Sequence, residues 1–128
     1  DFKNWNAEAV HFFDNNRNIL ELIARRDLDN ASQRPFGPGS FLGISEAGIV
    51  TDNVKATSSA LMKGFGLEYF SRQPALQHFA AIGDDEGLFI VVSKNRNWFP
   101  TQITSCIHPI KINFVINHQE KFFEWPVV

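Results

Sequence analysis

The sequence predicts an α+β fold in the order β-β, linker, β-α-β-β-β. Three observations carry this. Paired apolar runs flank turn residues at 14–18 (DNNRN) and 84–87 (DDEG), the pattern of β-hairpins. Val54, Leu61 and Phe65 fall at helical spacing behind the start signal Thr51-Asp52-Asn53. Ile110, Ile112, Phe114 and Ile116 alternate with Lys111, Asn113, Val115 and Asn117, which describes a strand with one buried face.

The first hairpin pairs AEAVHFF (7–13) with ILELIAR (from Ile19). Its second run is apolar on both faces, Ile19 and Ile23 against Leu20 and Leu22, and so reads as an interior strand. The stretch 25–40 mixes charge with Pro, Gly and Ser and has no period, as a connecting loop does. FLGISEAGIV (41–50) predicts a strand, and Asn53–Lys63 an amphipathic helix stopped by Gly64 and Gly66. HFAAIG (78–83) and LFIVVS (from Leu88) form the second hairpin, and 94–109 is irregular. The chain divides into a hairpin unit (1–28), a linker (29–40), a β-α-β-β-β unit (41–117) and a tail (118–128) to which no element is assigned.

At 128 residues the chain has the size of one domain, large enough to bury a core without disulfide or zinc. The lone Cys106 excludes a disulfide framework and a multi-cysteine metal cluster, and suits the cytoplasm, the expected location. A net charge of −2 gives no footprint for nucleic acid or an anionic membrane, so neither is expected as a partner. Thirteen Phe against one Tyr place the aromatic mass in an apolar core, a greasy pocket or a subunit interface. No phosphate-binding glycine loop, nucleophile elbow, His-Glu-x-x-His or paired-cysteine pattern occurs, and no catalytic residue is assigned.

Two carboxylates stand out. Glu21 is the one charge among Ile and Leu, and a buried carboxylate needs a metal, an arginine or an opening to water. Arg25 and Arg26 are its nearest candidate partners in sequence. Glu46 shares an apolar stripe with Ile44, Gly48 and Val50, the alternative being a solvated place on an open sheet face. His11 and His78 open strands; each is a candidate ligand or general acid/base, with a partly exposed strand-end histidine as the favoured reading. Arg96, Trp98 and Phe99 in NRNWFPT are candidate ligand-binding residues, or a loop plugging the end of the sheet.

HFFDNNRNILELIAR resembles the final hairpin of a vicinal-oxygen-chelate domain, the superfamily of glyoxalases, bleomycin-resistance proteins and extradiol dioxygenases. That hairpin usually reads Tyr-Phe-x-Asp-Pro-Asp-Gly-Asn-x-x-Glu-Leu, and Phe12, Phe13, Asp14, Asn16, Asn18, Glu21 and Leu22 find places in it. Residues 41–117 resemble a further βαβββ module of the glyoxalase/bleomycin-resistance/dioxygenase type, with a mixed or antiparallel curved sheet. Asn15 and Arg17 stand where the family has Pro and Gly, which predicts an altered turn. The resemblance implies the C-terminal part of a longer protein whose missing wall comes from a second copy, by domain swapping or close homodimerisation.

Two functions follow from the resemblance. One is a binding protein of the bleomycin-resistance type, holding an apolar or aromatic small molecule in a Phe-rich cup. The other is a metal-dependent lyase, isomerase or dioxygenase using one divalent ion (Fe, Mn, Mg, Ni or Zn) as Lewis acid. In the second, Glu21 occupies a ligand position, and Glu46 falls where a His ligand often stands. A further carboxylate ligand of the family would fall near Val91 or Val92, which tilts the expectation to binding.

Overall fold

A computed structural model describes residues 3–126. Among them the fold is α+β, with seven strands in three small sheets and one helix. No helix of these residues is long and apolar enough to cross a membrane.

β1 (Ala7–Phe13) and β2 (Ile19–Arg25) pair antiparallel, from Ala7 opposite Arg25 to Phe13 opposite Ile19. The connecting turn is organised by Asp14. Its carboxylate accepts from the Asn18 side chain (2.8 Å) and from the backbone N–H of Asn18 (2.7 Å) and Asn16 (2.9 Å). Those bonds, led by the Asn18 side chain, hold the carboxyl below its ordinary pKa. Arg17 takes the left-handed conformation itself, with φ 66°, so the loss of glycine leaves a positive φ in the turn. β2 is not an interior strand: among the described residues it pairs only with β1, and Leu20 and Glu21 are exposed.

β3 (Glu46–Thr51), β4 (Phe79–Asp84) and β5 (Gly87–Ser93) form a sheet in the order β3-β5-β4. β3 runs parallel to β5, and β4 antiparallel to it. Between β3 and β4 runs α1 (Val54–Phe65). The strand expected over 41–50 starts only at Glu46, because its partner β5 begins at Gly87. Leu88 N–H donates to Ser45 C=O (2.8 Å), the last bond of that ladder, and 41–45 carry on as largely exposed chain. Asn53 caps α1 by accepting from Ala56 N–H (2.9 Å). Gly66, with φ 67°, ends it in the left-handed conformation that glycine adopts most easily. The helix passes Gly64 and reaches Phe65, whose ring is edge-on to Phe114 (5.0 Å between centroids) and Phe123 (6.2 Å). Tertiary packing thus carries the last turn past a poor helix former.

The tail supplies an element that the sequence pattern does not announce. β6 (Ile110–Ile116) and β7 (Gln119–Trp125) pair antiparallel through a turn at Asn117 and His118, both at positive φ. Among the described residues this hairpin is a sheet of its own, not a continuation of β3-β5-β4. Its Ile112, Phe114, Phe123 and Trp125 pack, with α1, on the core of Ile49, Leu61, Ile82, Phe89 and Val91. Trp125 Nε1 donates to Val50 C=O (2.8 Å). Val50, Ala81, Leu88, Ile90 and Val92 line the opposite face of the sheet, joined by Phe70, Trp5 and Trp98.

Candidate functional site

That second face opens into a basin of about 2530 Å³, bounded by β2 and by the chain around Phe36, Phe41, Leu42 and Ile44. Exposure along this rim is high: Phe36 is 74%, Leu42 76% and Ile44 94% exposed. Such a concentration of accessible apolar side chains is uncommon on the surface of a monomeric protein.

Trp98 stands over the floor. The segment that carries it closes on itself, with Asn95 N–H donating to Ser105 C=O (3.0 Å), Ser105 N–H to Arg96 C=O (2.8 Å) and Trp98 N–H to Ile103 C=O (2.9 Å). The buried Ser105 hydroxyl anchors this loop by donating to Ser93 C=O (2.9 Å). The indole lies against Gly48, where a Cβ would come within 2.9 Å of Trp98 Cη2. A glycine inside a strand here makes room for a ring. Phe99, on the same loop, is edge-on to the His11 ring at 5.6 Å, and Arg96 places its guanidinium 5.0 Å over the Phe79 ring. All three candidate ligand-binding residues, Arg96, Trp98 and Phe99, line the basin.

The polar end is built on Arg25. Its buried side chain joins the end of β2 to the start of β3 by an ion pair with Glu46. Nη1 stands 3.6 Å from Asp85 in the β4–β5 turn, and Trp5 offers its ring at 5.9 Å. Burial, partly opposed by Arg25 and reinforced by the charge of Glu21, pushes the Glu46 carboxyl up to about 7. At neutral pH this group is poised to donate or accept a proton at one end of an apolar basin.

Glu21 pairs with His11, which stands directly across the hairpin, rather than with Arg25 or Arg26. Arg26 turns outward to Glu8, and Arg72 pairs with Asp27 just beyond the hairpin. Glu21 and Glu46 are near enough to interact, so both candidate metal ligands lie at one end of the basin. In this structure Glu46 is engaged by Arg25 and Glu21 by His11. Among the described residues no group of three His, Cys, Asp or Glu is placed to hold an ion.

Sequence reasoning passed over Arg25 as partner of Glu46, and Asp85 altogether, since nothing local links residues so distant in sequence. His11 was within reach: the 14–18 turn fixes a register that puts it opposite Glu21. Gly48 was a signal too, as a strand glycine often marks close approach. No protein-family model and no curated protein matches the sequence.

Proposed function

We propose that the chain binds a small apolar or aromatic molecule on the Trp98 side of its sheet, in a cup whose far wall is a second copy of the chain. The carrying observation is the Trp98 indole, fixed by a self-bonded loop and by Gly48 above the apolar floor of the basin. A rigid aromatic wall set in advance lowers the entropic cost of binding. The volume supports the second wall: about 2530 Å³ is well beyond the ~300–1,000 Å³ of a small-molecule pocket. A second copy entering the basin would narrow it. Arg25 and Glu46 then orient a polar group of the ligand at one end.

This reading agrees with the resemblance to bleomycin-resistance proteins, with 41–117 taken as a βαβββ module and the first hairpin as the end of another. The parallel β3–β5 pair with α1 crossing between β3 and β4 supports it. The metal-dependent alternative needs Glu46 to leave Arg25.

Titration with the neutral fluorophore 1-aminoanthracene tests the proposal. Saturable binding is expected, with affinity at least about tenfold weaker in Trp98→Ala, as for a central aromatic contact. Uptake that never saturates, or equal affinity in the variant, would overturn it.

A further inference from the structure

We propose that two copies of the chain join along the free edge of β2, pairing antiparallel about Leu22. The inference deepens the reading above, on whose second copy it rests, by naming the strand and register of contact.

The phase of the β1–β2 ladder decides which groups face outward. Arg26 N–H donates to Asn6 C=O (3.0 Å) at one end and Asp14 N–H to Asn18 C=O (3.1 Å) at the other. Even-numbered residues of β2 therefore bond to β1. Ile19, Glu21, Ile23 and Arg25 turn their N–H and C=O groups to the open edge. Antiparallel pairing about Leu22 sets Ile19 against the partner subunit's Arg25, and Glu21 against the partner subunit's Ile23. The outward groups of the seven-residue strand then meet outward groups over the longest overlap β2 has with itself, with only the Arg25 C=O already accepting within the chain, from Leu28 N–H (3.4 Å). Leu22 meets its own copy at the two-fold axis, a self-complementary contact of the kind cyclic dimers require.

Further observations favour a second copy as occupant. Natural edge strands are guarded by charges, proline or a bulge; β2 has no proline or bulge, and its two charges are already paired within the chain, Glu21 with His11 and Arg25 with Glu46. Its composition is that of an interior strand, apolar on both faces, and the pairing makes it one. Phe12, Leu20, Phe36, Phe41, Leu42 and Ile44 stand exposed around the same basin, an apolar surface that a second copy would cover. With a net charge of only −2 per chain, copies repel weakly at physiological salt.

The test uses the full chain. Light scattering is expected to give twice 14.5 kDa at tens of micromolar. In a Cys106→Ser background, oxidised Leu22→Cys is expected to run mostly as a covalent dimer, because facing non-hydrogen-bonded residues bring their Cβ atoms close. Val10→Cys, more exposed than Leu22 but on β1, should stay single. Ile23→Pro removes an outward N–H without touching the β1 ladder and should halve the mass with an unchanged circular dichroism spectrum; if that variant misfolds, the Leu22→Cys result decides. A monomer at all concentrations would overturn the proposal. So would a dimer that neither cross-links through Leu22→Cys nor responds to Ile23→Pro. Failure of the ligand reading looks different: a cross-linked dimer that takes up no 1-aminoanthracene supports the interface and refutes the binding role.

Discussion

Replacing Glu46 by Gln tests the electrostatics of the basin. The carboxyl is raised from 4.5 to about 7, chiefly by burial. At 1.36 kcal/mol per unit, that displacement corresponds to about 3 kcal/mol. The folded state holds its proton between those values while the unfolded state releases it. Stability contributed by Glu46 therefore falls as pH rises from about 4.5 to about 7, and is level above. Glutamine imitates the protonated side chain, still accepts from Arg25, and does not titrate. Urea unfolding of both proteins between pH 4.5 and 8 isolates the effect, since other groups cancel in the difference. The variant should gain on the natural protein by about 3 kcal/mol across the window. A constant difference would mean that Glu46 ionises at its ordinary pH. A gain of opposite sign would mean that the Arg25 ion pair outweighs burial.

Other substitutions probe the scaffold. Gly83 has φ 123°, and a Cβ there would collide with the Gly87 carbonyl, so Gly83→Ala should lower the unfolding free energy by more than ~2 kcal/mol in chemical denaturation. Asn53→Ala removes the α1 cap and should cost about 1 kcal/mol, read in the same assay. Gly48→Ala places a methyl against the Trp98 indole and should move it off the floor, seen as a change in tryptophan emission and weaker 1-aminoanthracene binding.

The elements easiest to foresee were those with local chemistry of their own. The 7–13 and 19–25 strands flank an Asn- and Asp-rich turn, and α1 has an Asn53 cap and a Gly66 stop. β3 was overextended because 41–45 are apolar enough for a strand, while its end is set by where β5 begins, information held forty residues away. β7 was missed because its turn uses Asn117-His118 at positive φ instead of an Asn-Gly pair. The outward Phe122 also blurs an alternation that puts Lys121, Phe123 and Trp125 inward. At the site, the unusual placement of Glu21 and Glu46 was legible from charge on apolar stripes. Their partners were not, because Arg25 meets Glu46 only through the docking of one sheet on another.

The indole N–H resonances of Trp5, Trp98 and Trp125 offer the most direct measurement. Trp5 donates to Gln73 (3.1 Å) and Trp125 to Val50 (2.8 Å), whereas Trp98 lines the basin. On saturation with 1-aminoanthracene in a two-dimensional spectrum, the Trp98 signal is expected to shift strongly while that of Trp125, on the opposite face of the sheet, stays in place. An unmoved Trp98 signal, or equal shifts of Trp98 and Trp125, would contradict a ligand seated on the Trp98 face.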